Sequence, residues 1–304
     1  MAELPPVTGM NFTSTIHNRA EGPTKPENNQ RPYVVCVTGA GKGLGYNISL
    51  AYASAGATGV VISSRTQSDL DGLEKELLKI NPKLEILSQT CDTMKDEDVA
   101  RLASATKDRF GGRLDVCVAN AGVISKYLQD GSLLQGILSD LDFERVIDIN
   151  VLGSVRTARH FVPLLIASPD GAKVLVGITS LAAHLNNSLF TTVAYNVSKT
   201  ALCRLIEHMD NDHRQEDGLL SYAAHPGAVL TPQTEKHSLK KDDAWDGLLT
   251  DDVGLCGGFL TWLTRERREW LSGRYISVNW DTEELENKKS TIEGDDLLKF
   301  SLRV

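Results

Sequence analysis

The sequence predicts an α/β fold, a doubly wound seven-stranded parallel sheet with helices on both faces. Three observations carry that prediction. Seven short apolar runs alternate with longer helical patterns. Most of the runs are rich in Val, Ile and Leu without strict alternation, as strands buried on both faces require. A glycine-rich turn also stands directly between the first run and the first helical pattern. Strands separated by helices pair in parallel, because each crossover helix returns the chain to the same end of the sheet.

Taken in order, residues 1–31 are rich in Pro, Asn and Thr and show no apolar period. They read as an N-terminal extension, either an extended arm over the surface or a disordered leader. Strands are expected at 33–38, 59–63, 84–88, 114–119, 173–179, 219–225 and 274–278. Helix 44–55 follows the glycine turn. Residues 67–80 place Leu70, Leu73, Leu77 and Leu78 at helical spacing, and 96–110 repeats this with Val99, Leu102, Ala103 and Phe110. Two long helices are expected at 143–165 and 193–210, and a last one at 252–263. A single domain thus spans 32–281. The tail 282–304 is charged and closes on Leu297, Leu298, Phe300 and Leu302. No internal repeat or low-complexity block stands out.

Bulk properties narrow the function. A chain of 304 residues buries enough surface to fold without staples. Its net charge of −8, with no Lys/Arg run longer than two residues, argues against a nucleic-acid partner. Cys36, Cys91, Cys117, Cys203 and Cys256 are scattered and form no C-x-x-C pair, which suits free thiols in a reducing compartment. No secretory signal and no long apolar run is visible, so a cytoplasmic protein without a membrane partner is expected. The Asn-x-Ser/Thr patterns at Asn11, Asn47, Asn186 and Asn196 then carry no meaning. No metal-ligand spacing appears among the seven histidines.

Two motifs carry chemistry. Thr38-Gly39-Ala40-Gly41-Lys42-Gly43-Leu44-Gly45 follows a strand and opens a helix. Glycines let such a turn approach a pyrophosphate, and the helix N-terminus offers free N–H groups and a positive dipole end. Tyr195 and Lys199 stand four residues apart, which puts a phenol and an ammonium on one helix face. An unperturbed phenol titrates near pH ~10, and a nearby ammonium favours its ionised form. The pair suits a general acid for ketone reduction or a base for alcohol oxidation.

With these residues in view, the chain resembles the short-chain dehydrogenase/reductase family from about Tyr33 to Trp280, which implies a Rossmann-like fold. Thr38 to Gly45 matches the family's glycine motif. Asp92, followed by Thr93, stands where the family's adenine-contacting Asp lies. Asn120-Ala121-Gly122 matches its element after the fourth strand. Asn150, Ser180, Tyr195 and Lys199 match its catalytic tetrad in order. Pro226-Gly227, with Val229 and Thr231 following, matches its loop beside the nicotinamide. Gly273-Arg274-Tyr275 and Asn279-Trp280-Asp281 are similar to fungal members, many tied to secondary metabolism.

The resemblance implies roles. Lys199 would also bond the nicotinamide ribose, Ser180 would orient the carbonyl, and Asn150 would hold a water linking Lys199 to solvent. Each has a plainer reading: Ser180 as a strand-end turn former, Asn150 as a residue that caps or bends its helix. Ser180 to Tyr195 is 15 positions, longer than the family's usual 12 or 13, with the surplus expected in 186–191. Thr179 is the alternative to Ser180 if the register slips. His184 fits either substrate contact or polar surface. Leu185, Leu189, Phe190 and Trp245 fit either an apolar pocket or core and lid packing, and the polar stretch 236–246 fits a lid.

For the cofactor, an NAD site usually has an acid at the end of the second strand. Here Ser64 stands there, Arg65 follows, and Lys42 lies in the glycine turn. Cations and hydroxyls suit a 2′-phosphate, so NADP(H) is expected, unless Lys42 and Arg65 are only solvated surface cations. The leading function is an NADP(H)-dependent oxidoreductase on a carbonyl or secondary alcohol of a mid-sized organic molecule, such as a secondary metabolite. The alternatives are a non-redox isomerase, dehydratase or cyclase on the same fold, and a protein that senses NADP(H). The resemblance also implies a homodimer or homotetramer through the two long helices, with Val151, Val155, Phe161, Leu165, Val197, Leu202, Leu205 and Met209 as the apolar patch.

Overall fold

A computed structural model describes residues 8–126, 137–138, 140–168, 170–188, 190–235 and 247–302. Leu189, Trp245 and the expected lid 236–246 lie outside the described residues. The seven expected strands are all present: β1 Val34–Thr38, β2 Gly59–Ser64, β3 Glu85–Thr90, β4 Val116–Ala119, β5 Val174–Ile178, β6 Leu220–His225 and β7 Arg274–Ser277. They form one sheet in the order β3-β2-β1-β4-β5-β6-β7, every pair parallel. The order reverses between β1 and β4, and the crevice outside the strand ends at that reversal is where such sheets bind ligands. β1, β4, β5, β6 and β7 are buried throughout, which fits the apolar character of β1, β4 and β5; β6 and β7 bury polar residues as well. β3 is the half-exposed edge.

Helices α1 Gly43–Ser54, α2 Gln67–Ile80 and α3 Asp96–Arg109 follow the first three strands. In α2 the apolar period holds for Leu70, Leu73 and Leu77, which are fully buried, but Leu78 turns outward. The expected helix 143–165 is interrupted. It comprises α4 Phe143–Ile147, a π turn Asp148–Leu152, and α5 Gly153–Ala167. Such single π turns cluster at functional sites, and this one contains Asn150. α6 runs over Val193–Asp217, seven residues past the expected end, and stops at Gly218 in the left-handed conformation (φ 73°). α7 spans Leu255–Arg265.

From residue 8 onward the N-terminal segment is neither disordered nor simply extended. It forms 3-10 turns at Gly22–Thr24 and Pro26–Asn28 and docks on the end of the domain. Ile16 bridges to Trp280, the Trp280 indole N–H donates to the Gly9 carbonyl, and Ser14 and Thr15 donate to the Glu284 carboxylate. The tail is folded too. Asp281 caps α8 Thr282–Asn287 by accepting from the Glu283 and Glu284 amides, and α9 Lys289–Gly294 follows.

The apolar patch expected on the long helices is smaller than its sequence suggests. Phe161, Leu165 and Leu202 are buried in the core. Val151, Val155, Leu205 and Met209 are half-buried, and Val197 is exposed together with Leu152.

Candidate active site

A cleft of about 640 Å³ opens at the C-terminal ends of the strands, and the glycine turn forms its floor. Gly39 has φ 66°, and a Cβ there would come within 2.9 Å of the Ala121 backbone. A Cβ on Gly45 would lie 2.5 Å from both the Asn120 amide and the Gly39 carbonyl oxygen. The turn is therefore fused to the loop after β4, and only glycine fits at these two positions. The Asn120 side chain donates to the Thr38 carbonyl at 2.8 Å, while the Thr38 hydroxyl accepts from the Asn120 and Ala121 amides. Asn120 thus ties one cofactor loop to another. Gly39, Gly41, Lys42, Gly43, Leu44 and Gly45 all line the cleft, and α1 starts at its edge. A flat backbone cradle at a helix N-terminus fits a dinucleotide pyrophosphate.

Around the rim, Ser64, Arg65, Asp92, Thr93, Asn120, Ala121, Gly122, Pro226 and Thr231 also line the cleft. Gly227 and Val229 do not. They pack toward Asp251, whose carboxylate accepts from the Ala228 amide and whose backbone bridges to Val229. The Ser64 hydroxyl is held by its own turn, donating to the Thr66 carbonyl and accepting from the Thr66 amide. Arg65 is exposed, with no acid partner among the described residues. Lys42 is paired: its ammonium lies 3.1 Å from the Asp69 carboxylate. Sequence reasoning missed Asp69. It searched for an acid at the end of β2, and this one comes from the first turn of α2.

At the other end, β5 delivers Ser180 and α6 delivers Tyr195 and Lys199. Thr192 caps α6 by accepting from the Tyr195 amide. The Ser180 hydroxyl acts on the Tyr195 phenol and favours its ionised form. The Lys199 ammonium donates to the Ile178 carbonyl at 2.8 Å and lies 5.4 Å from the centre of the Tyr195 ring. Burial pushes the phenol up to about 12, opposed by the influence of Ser180, so the depressed phenol expected from a neighbouring ammonium is not found in this chain alone. The physical reason is that desolvation of the phenolate outweighs an ammonium whose hydrogen bond goes to a backbone carbonyl. Burial likewise lowers Lys199 to about 8.

Asn150 is buried behind the cleft. Its side chain donates to the Val123 carbonyl at 2.9 Å and to the Ser198 hydroxyl at 2.9 Å, and accepts from the Val123 amide at 2.8 Å. Gly122 separates it from Lys199: a Cβ there would stand 3.3 Å from the Asn150 carbonyl oxygen and 3.5 Å from the ammonium. Asn150 thus lies in the π turn and approaches Lys199 across Gly122.

The longer interval between Ser180 and Tyr195 is taken up by a 3-10 turn, Leu181–His184, and a loop that Asn196 ties back through the Asn187 carbonyl at 2.9 Å. The Thr179 hydroxyl is engaged by the Lys199 carbonyl and the Cys203 thiol, and Thr179 lines the cleft while Ser180 does not. His184 does not line the cleft; it is half-buried between the rings of Tyr275 and Phe300. Leu185 is buried. Lys126, Arg145 and Gln233 line the cleft without having been anticipated. They lie on loops and a helix face with no local motif to mark them. Among the described residues no group of His, Cys, Asp or Glu side chains is placed to hold a metal ion. No helix there is long and apolar enough to cross a membrane, and all five cysteines are free and buried.

Comparison with known proteins agrees with this geometry. A family model described as short chain dehydrogenase matches residues 33–242. The protein named Short chain dehydrogenase pgmD of Aspergillus terreus is 35% identical, covering 100% of this chain and 98% of its own length. Short chain dehydrogenase mpl6 of Monascus purpureus is 34% identical, over 98% of this chain and 99% of its own. Among solved structures, levodione reductase superposes with a TM-score of 0.70 at 19% identity, covering 82% of this chain and 97% of that one, which shows the shared fold. With the glycine cradle, the Ser180–Tyr195–Lys199 cluster and these relatives together, the chain belongs to the short chain dehydrogenase family, whose members are oxidoreductases that use nicotinamide cofactors.

Proposed function

We propose that the protein is an NADP(H)-dependent oxidoreductase that interconverts a ketone and a secondary alcohol on a mid-sized organic molecule, of the kind made in fungal secondary metabolism. The observation that carries this reading is Tyr195 and a buried Lys199, one turn apart on α6, both lining the cleft that begins at the glycine turn. When bound, the nicotinamide supplies or accepts the hydride. In reduction, Tyr195 gives its proton to the carbonyl oxygen, and Ser180 donates to the same oxygen as charge develops on it. A phenol held neutral by burial enters that direction already carrying its proton. Lys199 holds the ribose and supports the phenolate left behind. Asn150 positions the solvent path that returns the proton.

NADP(H) over NAD(H) is supported by the free cation Arg65, by Lys42, and by the absence of an acid at Ser64. Asp69 tempers that preference. The fungal relatives support the substrate class. Free buried thiols support a cytoplasmic setting. Leu152 and Val197, exposed at 44% and 45% on the face of the two long helices, support a homodimer or homotetramer.

A screen of NADPH consumption against a panel of ketones and aldehydes tests the reading. The wild type should consume NADPH with at least one carbonyl, and Tyr195→Phe should abolish that consumption. Consumption that survives Tyr195→Phe would overturn it.

A further inference from the structure

The turn that carries Ser180 is held from behind, on the side away from the cleft. The Leu181 amide donates to His225 Nδ1 at 3.2 Å, and the Thr200 hydroxyl donates to the Ala183 carbonyl at 2.7 Å. The His184 ring stacks on Phe300, with centres 4.9 Å apart and planes within 7°, and meets the Tyr275 ring edge-on at 4.5 Å. Burial lowers His184 to about 4 and His225 to about 3, so both rings are neutral at ordinary pH. Register places Tyr275 and His225 on the same face of the sheet, beneath this turn. His184 Nε2, His225 Nε2 and Tyr275 Oη are buried and meet no hydrogen-bond partner among the described residues. The place of the His184 ring therefore rests on its two aromatic contacts.

One of those contacts comes from the far end of the chain, and its own position is over-determined. The Tyr275 amide donates to the Leu298 carbonyl at 2.9 Å, the Phe300 amide to the Glu207 carboxylate at 3.0 Å, and Arg204 to the Phe300 carbonyl at 2.8 Å. Leu298 holds φ 66°, a left-handed conformation that a leucine keeps only where surrounding contacts require it. The tail is thus pinned to β7 and α6 on either side of the ring that covers His184.

We propose that Phe300 and His184 are positioning residues for Ser180: the C-terminal tail clamps the turn after Ser180 and so sets its hydroxyl against Tyr195. This rests on the reading of Ser180 and Tyr195 as the reacting pair. A clamp that acts on geometry alone leaves cofactor binding intact and lowers the chemical step, where misplacement of the order of 1 Å costs roughly 100-fold.

The test compares Phe300→Ala, Phe300→Tyr and Arg204→Ala in the full chain. Arg204→Ala releases the tail without altering the aromatic cluster, and it serves if Phe300→Ala folds poorly. Hydrogen exchange by mass spectrometry reads residues 180–185, with β1 as the control for global unfolding. Steady-state kinetics use whichever carbonyl supports NADPH consumption, and fluorescence titration gives NADPH affinity. Phe300→Ala and Arg204→Ala should speed exchange at 180–185 but not in β1. They should lower kcat about 10- to 100-fold with unchanged NADPH affinity, and Phe300→Tyr should match the wild type. Wild-type exchange at 180–185 in Phe300→Ala or Arg204→Ala overturns the clamp, as does wild-type kcat with a loosened turn. If no carbonyl is reduced by the wild type, the proposed reaction fails, and the exchange measurement still decides whether the tail holds the turn.

Discussion

The Lys42 ammonium lies 3.1 Å from the Asp69 carboxylate, so one of the two cations at the adenosine end of the cleft is already matched by an acid. Arg65 stands beside them without an acid partner among the described residues. If a 2′-phosphate binds here, Arg65 carries most of its recognition, and Asp69 repels it. Arg65→Ala should then weaken NADPH binding by about 1.5–3 kcal/mol, the worth of a charged hydrogen bond, and barely change NADH binding. Asp69→Asn should strengthen NADPH binding by up to about 1 kcal/mol, as fits a partly solvated charge. Calorimetric titration of both cofactors checks this. Tighter NADH than NADPH binding by the wild type would contradict it.

Tyr195 and Lys199 should separate chemistry from binding. Tyr195→Phe removes one hydroxyl from a packed ring, so NADPH affinity should stay within about threefold of wild type, less than the net worth of one hydrogen bond. On the proposed reading, Lys199→Ala should impair both affinity and turnover, because it would remove a ribose ligand as well as the charge beside the phenol. Fluorescence titration alongside single-turnover kinetics distinguishes the two. Equal loss of affinity in both variants would count against the roles given to them.

The two neutral histidines make a prediction about acid stability. Burial lowers His184 and His225 to about 4 and about 3, well below an unfolded histidine near ~6.5. With folded values depressed, the unfolded chain binds more protons, so the stability these groups contribute is fully present above pH ~6.5. It falls progressively as pH drops from there toward the folded values. Urea unfolding at intervals between pH 7.5 and 5 should show that decline. His225→Asn keeps an acceptor for the Leu181 amide but cannot take up the proton, so its decline should be shallower. An unchanged slope in His225→Asn would assign the decline to other groups.

Self-association should run through the face that leaves Leu152 and Val197 exposed. Sedimentation equilibrium at micromolar concentration should give at least twice the chain mass of 33.2 kDa. Val197→Glu should lower that mass toward the monomer without loss of helix signal, since the side chain is already 45% exposed and its replacement disturbs no core. A wild type that sediments as a monomer would remove the proposal.

The sequence by itself determined the seven strands, the glycine cradle and the placing of Tyr195 four residues before Lys199. These follow from local rules: the short apolar runs of strands buried on both faces, the 3.6-residue period of helices, and glycine where only glycine fits. Tertiary structure alone decided what those residues meet. Lys42 finds Asp69, 27 positions away. Lys199 finds the Ile178 carbonyl, which leaves the phenol to burial and to Ser180. The Val123 backbone engages Asn150 at the π turn that splits one expected helix into α4 and α5. The polar N-terminal segment finds Asn279, Trp280 and Glu284, and Phe300 finds His184. The signal for the C-terminal helices was present in Asp281 followed by Glu283 and Glu284, a cap with acids in the first turn. The segment lacks an apolar stripe, so a cap alone marks those helices. Periodicity reports which face of an element is buried; which distant side chain or carbonyl lies against that face depends on the path of the whole chain, and no local pattern carries that.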